Sequence, residues 1–285
     1  MSLKLDLEDV VRSLAEPATD DVWGATNDVL ALLPGHDFST LDRHSPGLGR
    51  GWDWVPYLRL SAIRIAQAAA LLRQRGALSG RLLDFGSYFG NFAFFARRHG
   101  FDTLAFDSYA AYGSAFESVT RLMAERGIRV LDPVDVGSDL ARLPAESVDV
   151  VLCMGVIEHI PHTPRLVLEA ISRVLRPGGT LILETPNLAY TYTRRRLMEG
   201  RPIGTPIELQ FETEIPFEGH HREYTLDEVT WMLRRIGQVD IDAVYYNYSI
   251  FGLPEIAGDD LERHAEMEHD PSRRELIITA SRKAV

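Results

Sequence analysis

From residue 80 onward, the chain alternates between short apolar runs of strand type and longer stretches with helical periodicity. Residues 148–154 form a continuous apolar run, which is typical of a strand buried on both faces of a sheet. This alternation predicts a mainly parallel sheet covered by helices on both sides. The predicted strands are 82–85, 103–106, 128–136, 148–154, 180–184, 240–245 and 275–280, and the predicted helices are 89–99, 112–126, 164–175 and 225–236.

The first 75 residues have a different pattern. Glycine, proline and aromatic residues interrupt 33–57, and a helical pattern follows over 58–75 and stops at Gly76. We predict that 1–75 forms a helical and loop cap on a main domain of 76–285. The interval 187–224 is long for a connection inside a domain, so we predict that it is a lid insertion.

Composition narrows the class of protein. The 285 residues are 45% hydrophobic and 25% charged, as in ordinary globular proteins. The net charge of −11 disfavours nucleic acid or an anionic membrane as a partner. Cys153 is the single cysteine, and the first residues do not resemble a secretory signal, so the expected location is the cytoplasm.

The most informative segment runs from Arg81 to Arg98. An apolar strand ends at Asp84, passes through Gly86 and Gly90, and continues as a helix. Such a turn lets the backbone approach a charged small molecule, which then meets the N–H groups of the helix's first turn.

In their order and spacing, five motifs resemble the class I S-adenosylmethionine-dependent methyltransferases, in the small-molecule branch. They are LLDFGSYFG (82–90), Asp107 after the second strand, LP followed by ESVDVV (146–151), IEHI (157–160), and RVLRPGG (173–179) with LETPN (183–187). The resemblance implies a Rossmann-like seven-stranded sheet of order 3-2-1-4-5-7-6 with strand 7 antiparallel.

The resemblance also implies a cofactor site. Asp84, Gly86, Ser87 and Gly90 would hold the methionine end, and Asp107, followed by Ser108, would accept hydrogen bonds from the ribose hydroxyls. The resemblance further implies that the backbone of Cys153 and Met154 lines the methionine end. At the adenine it implies Asp135 with the backbone of Val136, or else Asp139.

One position departs from the family pattern, because Tyr88 stands where a third glycine is usual. Its ring either faces the methyl group, where it would stabilise the sulfonium charge, or packs away from it. Loss of this glycine is also the feature that would favour a binding protein without catalytic activity.

His159 is the leading candidate for a catalytic base, because it follows strand four at the edge where ligands bind in open sheets. His220, His221 and Tyr224 form a second catalytic cluster before the predicted helix 225–236. These groups could bind a metal ion together with Glu184 and Asn187, but their spacing matches no compact motif, so we expect no metal.

Aromatic residues favour an apolar or ring-containing acceptor. Those considered are Trp52, Trp54, Tyr190, Tyr192, Phe211 and Phe217. The expected function is methyl transfer to an oxygen, nitrogen or carbon of a small molecule, such as a secondary metabolite, sugar or lipid-like compound, with S-adenosylhomocysteine as the other product. A non-methylating cyclisation or rearrangement on the same cofactor is the alternative. A homo-oligomer is compatible with the sequence.

Overall fold

The structure, a computed structural model, describes residues 6–43, 49, 51–133, 140, 142–215, 217–249 and 261–285, with the backbone alone for 261–264. The strands are β1 (Arg81–Phe85), β2 (Asp102–Phe106), β3 (Arg129–Leu131), β4 (Val148–Met154), β5 (Leu175–Pro186), β6 (Gln238–Tyr246) and β7 (Leu276–Lys283). The helices are α1 (Leu7–Ala15), α2 (Thr19–Leu30), α3 (Trp54–Arg75), α4 (Asn91–Arg98), α5 (Glu117–Glu125), α6 (Arg165–Val174), α7 (Thr191–Met198), α8 (Ile207–Glu212), α9 (Leu226–Arg235) and α10 (Leu261–His269).

The strands form one seven-stranded sheet in the order β3-β2-β1-β4-β5-β7-β6. β1 pairs in parallel with β2 and β4, whereas β7 is antiparallel to both β5 and β6. The predicted fold class, strand order and antiparallel strand are therefore confirmed. The strand order reverses at β1 and β4, which is where open α/β sheets bind ligands.

Side chains of β1 alternate between two apolar cores. Leu82 packs in the core that includes α3 and α4, and Leu83 and Phe85 pack in the core that includes α6 and α9. The continuous apolar pattern of the central strands follows from this burial on both faces.

The ends of several elements differ from the predicted ones. α3 begins at Trp54 because the Asp53 side chain caps it by accepting a hydrogen bond from the Val55 N–H, and it ends at Gly76 in the left-handed region. The predicted helix 112–126 is a 3₁₀ segment over Tyr109–Phe116 followed by α5, since Gly113 has non-helical angles. β3 is shorter than the predicted strand 128–136, because residues 128, 132 and 133 are not in a strand. The predicted residues 134–136 lie outside the described ones.

The N-terminal helices lie against the main sheet domain. α1 packs on α3, and α2 packs on α3 and α4. The interval 187–224 contains α7 and α8. The division of the chain at residue 75 remains a prediction.

Among the residues described, no helix combines the length and apolar character that crossing a membrane requires.

Candidate active site

A cavity of about 840 Å³ lies at the carboxyl ends of β1, β2 and β4. Side chains of the N-terminal half of α3 and of the loop before α9 complete its wall. The lining residues on which the description below depends are Trp52, Trp54, Tyr57, Arg64, Gly86, Ser87, Tyr88, Phe89, Asn91, Asp107, Ser108, Tyr112, Pro133, Met154, His159, Phe217 and Glu218.

The turn after β1 requires glycine at two positions. Gly86 and Gly90 have φ angles of 77° and 78°. A Cβ atom on Gly86 would lie 2.4 Å from Val156 Cγ2, and one on Gly90 would lie 2.1 Å from Met123 Cε. A side chain at either position would therefore have to displace its neighbour, Val156 at Gly86 or Met123 at Gly90. Gly86 lines the cavity, and Gly90 begins α4 behind it.

The turn is bonded to the next strand through its own amides. The N–H groups of Gly86 and Ser87 donate to the Phe106 carbonyl oxygen at 2.8 and 3.2 Å. The N–H of Ser87, a residue predicted at the methionine end of the cofactor, is thus satisfied within the chain. The Ser87 hydroxyl lies 2.8 Å from the Tyr109 hydroxyl.

Tyr88 adopts a left-handed backbone with φ of 45°, the region that glycine favours. Its ring lines the cavity and makes edge contacts with the rings of Trp54, Phe89 and Tyr112. The ring therefore both packs on its neighbours and lines the cavity, and its orientation toward the methyl group stays a prediction.

Asp107 follows β2 and lines the cavity. Its Oδ2 accepts the Tyr88 N–H at 2.7 Å, and its Oδ1 accepts the Ser108 N–H at 2.7 Å and the Tyr112 hydroxyl at 3.3 Å. Burial raises the pKa of Asp107 to about 6, although the Tyr88 and Ser108 amides and the Tyr112 hydroxyl oppose this shift. The carboxylate is thus oriented by the chain and borders the space where the ribose is expected.

The residues predicted to contact adenine lie beyond what the structure describes. Asp135, Val136 and Asp139 belong to the segment 134–139, which falls outside the described residues. Pro133, the last described residue before it, lines the cavity.

Two buried acceptors near the turn have no donor. Both oxygens of the Asp84 carboxylate and the Asn91 Oδ1 are buried without a hydrogen-bond partner among the described residues. Burial and the nearby Asp107 raise the pKa of Asp84 to about 8. The Ala93 N–H lies near the carboxyl group and offsets this shift only in part, but it does not meet the geometry of a hydrogen bond. Buried acceptors are normally satisfied, so this pair points to a missing donor, such as an ammonium group.

At the end of β4, only one of the two predicted residues borders the cavity. Met154 lines it, whereas Cys153 is fully buried in the core on the other face of the sheet. Burial raises the pKa of the Cys153 thiol, which therefore stays protonated. The alternation of side chains along a strand explains the difference.

A buried ion pair at the cavity wall was not predicted from the sequence. Arg64 of α3 donates from Nε to Glu184 Oε1 at 2.9 Å and bonds it again through Nη2. The Tyr246 hydroxyl donates to the other Glu184 oxygen. In the sequence, Arg64 stands between Leu60 and Ala68 at four-residue spacing, so one charged residue interrupts an otherwise apolar helix face. This interruption is the feature from which a buried ion pair could have been predicted.

His159 points its ring at the cavity in a fixed orientation. Its Nδ1 lies 2.6 Å from the Glu218 carbonyl oxygen, which can only accept, so Nδ1 carries the hydrogen and Nε2 has a free lone pair. Burial and the neighbouring His220 lower the pKa of His159 to about 4. The imidazole is therefore neutral near neutral pH.

His220 packs edge-on against His159, with ring centroids 4.8 Å apart. The His220 Nδ1 lies 3.1 Å from Glu223 Oε1. The hydrogen bond to Glu223, with the nearby Glu158, raises the pKa of His220, although burial opposes this. The structure thus brings together His159 and His220, which the sequence had assigned to separate clusters.

The other two residues of the predicted cluster lie elsewhere. His221 is exposed and lies within hydrogen-bond distance of the Phe217 carbonyl oxygen, at 3.2 Å. Tyr224 is buried in the core of the opposite sheet face, and its backbone bridges to Asn187. None of His220, His221 and Tyr224 lines the cavity, so their placement gives the predicted catalytic role no support.

The metal set considered from the sequence is also dispersed. Glu184 is bonded to Arg64, and the Asn187 side-chain amide donates to the carbonyl oxygens of Ser272 and Arg274.

Of the predicted lid aromatics, Phe217 lines the cavity, whereas Tyr190 is buried outside it and Tyr192 and Phe211 are exposed.

The cavity fits S-adenosylmethionine. The buried acceptors of Asp84 and Asn91, of which only Asn91 lines the cavity, match an ammonium group. The bare Gly86 leaves room for the backbone to approach the ligand, and the Asp107 carboxylate matches ribose hydroxyls. Aromatic rings surround the remaining volume and can face a sulfonium charge.

Comparison with known proteins agrees with this fit. Residues 57–241 match the family model described as a methyltransferase domain. The chain is 33% identical over 154 residues to a ubiquinone biosynthesis O-methyltransferase from Xanthomonas axonopodis pv. citri (strain 306), covering 52% of this chain and 61% of the relative. A relative of the same name from Hahella chejuensis (strain KCTC 2396) is 32% identical over 157 residues, covering 53% and 62%. The chain therefore spans about three fifths of the length of these curated relatives.

Solved structures show the same fold. A SAM-dependent methyltransferase from Archaeoglobus fulgidus has a TM-score of 0.51 at 16% identity, covering 80% of this chain and 99% of that one. The Haemonchus contortus phosphoethanolamine N-methyltransferase 2 in complex with S-adenosyl-L-methionine has a TM-score of 0.51 at 15% identity, covering 91% and 60%. From its family match, its sheet order and its cofactor cavity, the chain belongs to the methyltransferase-domain family of class I S-adenosylmethionine-dependent methyltransferases.

Proposed function

We propose that this protein transfers a methyl group from S-adenosylmethionine to a hydroxyl oxygen of a small, ring-containing acceptor. The observation that carries the proposal is that the glycine turn, Asp107 and His159 all border one cavity. When bound, the cofactor supplies an electrophilic methyl group and leaves as S-adenosylhomocysteine.

The chain holds the cofactor end through fixed acceptors. Asp84 and Asn91 offer buried oxygens to the ammonium group, and the carboxylate of Asp107 is oriented by the amides of Tyr88 and Ser108. Because these groups are already oriented, little of their conformational entropy is lost on binding.

The acceptor end of the cavity is aromatic. Trp54, Tyr57, Phe89, Tyr112 and Phe217 contribute rings to its wall. An aromatic wall favours a ligand with an apolar or aromatic surface, and excluding water there favours reaction of an oxygen nucleophile with a cationic methyl donor.

We assign His159 the role of accepting a hydrogen bond from the hydroxyl of the acceptor molecule. Its neutral Nε2 is a hydrogen-bond acceptor held in place by the bond from Nδ1 to the Glu218 carbonyl. A pKa of about 4 makes this ring better suited to orienting the hydroxyl than to retaining its proton. Positioning supplies much of the acceleration in such reactions.

The partners that we propose are the cofactor and a small acceptor. The curated relatives are named as ubiquinone biosynthesis O-methyltransferases, which supports oxygen as the methylated atom. The net charge of −11 argues against nucleic acid or an anionic membrane surface. We further propose a cytoplasmic enzyme of secondary metabolism; assembly into a homo-oligomer stays a prediction.

The experiment is incubation of the purified chain with methyl-labelled S-adenosylmethionine and a panel of phenols, catechols and hydroxylated quinone precursors. We expect labelled methyl ether and S-adenosylhomocysteine in equal amounts. A converted product without S-adenosylhomocysteine would instead support cyclisation or rearrangement. Absence of cofactor binding in calorimetry would support a binding protein without catalytic activity.

A further inference from the structure

The hydroxyl of Tyr109 bonds the glycine turn from behind the cavity. Tyr109 is 5% exposed and does not line the cavity. Its hydroxyl oxygen lies 3.0 Å from the Tyr88 carbonyl oxygen and 2.8 Å from the Ser87 hydroxyl oxygen. Because a carbonyl can only accept, Tyr109 donates its hydrogen to Tyr88 and accepts the hydrogen of Ser87. The Met123 sulfur, at 3.8 Å, is a weaker acceptor for the same hydrogen.

The backbone of Tyr88 is thereby held on both sides. Asp107 accepts its N–H at 2.7 Å, and Tyr109 donates to its carbonyl oxygen. The N–H of Tyr109 bonds the Asp107 carbonyl oxygen at 2.9 Å, so residues 107–109 form a tight turn that carries both groups. Tyr88 has a φ of 45°, which residues other than glycine rarely adopt. Two side chains from one turn thus hold Tyr88 in this conformation.

The ring of Tyr109 supports the same residue through Phe116. The ring centroid of Tyr109 lies 6.0 Å from that of Phe116, which lies 4.8 Å from that of Tyr88. Phe116 is buried. The hydroxyl and the ring of Tyr109 therefore both act on Tyr88, whose own ring lines the cavity.

We infer that Tyr109 is a positioning residue for methyl transfer, because its hydroxyl fixes the turn at Ser87 and Tyr88 against which the cofactor binds. This inference rests on the proposed function. Tyr109 acts through Ser87 and Tyr88, which both line the cavity. Without the hydroxyl, the ligand itself would have to order the turn on binding, and the conformational entropy then lost would weaken its affinity. Once the ligand is bound, the turn would have the same geometry.

The first test is Tyr109→Phe, which removes the hydroxyl and keeps the ring. We expect S-adenosylhomocysteine to bind about 3- to 10-fold more weakly in calorimetry, the effect of one hydrogen bond between neutral groups. With an acceptor that the chain methylates, KM for S-adenosylmethionine should rise by a similar factor and kcat should change by less than about 2-fold. Hydrogen exchange of residues 86–90 in the ligand-free chain should also become faster by about 3- to 10-fold.

A second variant, Ser87→Ala, removes the hydroxyl that donates to Tyr109 and should weaken binding of S-adenosylhomocysteine by about 2- to 10-fold. Because the two hydroxyls act on one turn, the double variant should lose less affinity than the product of the two single losses. Thr279→Val is the matched control. It removes a buried hydroxyl that donates to the Leu183 carbonyl oxygen at 3.2 Å, outside the cavity. This variant should be less stable and bind the ligand as wild type does.

The inference is overturned if wild type binds S-adenosylhomocysteine and Tyr109→Phe binds it as tightly as Thr279→Val does. The proposed function would survive that result. Weaker binding by Tyr109→Phe without faster exchange of residues 86–90 would also overturn the inference, because the hydroxyl would not be holding the turn. If wild type itself does not bind S-adenosylhomocysteine, the proposed function fails together with the inference.

Discussion

The backbone N–H of Tyr88 donates to Oδ2 of Asp107 across 2.7 Å. This bond connects the glycine turn after β1 to the carboxylate after β2, so both sides of the predicted cofactor site have one fixed geometry. Tyr88 makes this bond while its backbone has a positive φ. A residue that departs from the family's glycine pattern thus still forms a polar contact that organises the site.

Replacing Asp107 with alanine should weaken binding of S-adenosylhomocysteine by about 1–3 kcal/mol, because a charged hydrogen-bond acceptor is lost. Calorimetry measures the change. Asp102→Asn is the matched control, since Asp102 lies at the other end of β2 in an exposed pair with Arg81. Equal affinity in Asp107→Ala and the control would contradict the ribose assignment.

Tyr88→Gly should lower the free energy of unfolding by about 1–3 kcal/mol. Loss of the ring's contacts with Trp54, Phe89 and Tyr112 outweighs the roughly 1 kcal/mol gained by relieving a left-handed backbone. Urea unfolding measures the difference, and Tyr88→Phe should stay within about 0.5 kcal/mol of wild type. A glycine variant as stable as the phenylalanine variant would show that the ring contributes little packing.

The ligand-free protein should lose stability as pH rises, through Asp84. Because the folded-state pKa of about 8 lies above the usual value of 3.8, folding favours the protonated form. Each pH unit between these values then costs up to about 1.4 kcal/mol. Asp84→Asn removes this cost.

The stability gained by Asp84→Asn over wild type should therefore be larger at about pH 8 than at about pH 5, as thermal unfolding will show. The same variant should bind S-adenosylhomocysteine more weakly, because the carboxylate is lost. A gain that does not change with pH would mean that Asp84 ionises normally in the folded chain.

Arg64→Met should destabilise the fold by about 3–5 kcal/mol, because it leaves the buried Glu184 carboxylate without its cation. Urea unfolding measures this change in the free energy of unfolding. Arg59→Met on the exposed side of α3 is the control. The double variant Arg64→Met/Glu184→Gln should recover most of the loss. Failure of the second change to recover stability would locate the effect in packing of Arg64 against Phe92 and Tyr248 instead.

His159→Ala should reduce kcat by roughly 100-fold or more and change the affinity for S-adenosylhomocysteine by less than about 3-fold. His159 borders the cavity, whereas His221 is exposed outside it, so His221→Ala should keep both values near wild type. Steady-state kinetics and calorimetry on the two variants separate these outcomes. If the two variants have equal kcat, His159 does not take part in the reaction and has a structural role only.

Features set by local sequence were predicted well. The run 148–154 coincides with β4, and α9 lies within the predicted helix 225–236, where Thr225 and Glu228 form a capping box. Both depend on neighbouring residues alone, since burial on two faces determines a strand's composition and a cap is satisfied within one turn.

Features set by tertiary contact were not predicted. The pairing of Arg64 with Glu184 joins α3 to β5, and the approach of His220 to Glu158 joins a loop to the turn after β4. No spacing in the chain encodes these distances. Tyr224 was predicted as catalytic from its position near two histidines, but its backbone bridge to Asn187 accompanies a side chain buried in the core.

The central claim is that the cavity at the carboxyl ends of β1, β2 and β4 holds the adenosyl cofactor for methyl transfer. A crystal structure of the chain with S-adenosylhomocysteine tests it most directly. The account predicts the ribose on Asp107, the ammonium group beside Asp84 and Asn91, and the sulfur facing the space in front of His159. Density for the ligand elsewhere, or an empty cavity at saturating ligand, would contradict it.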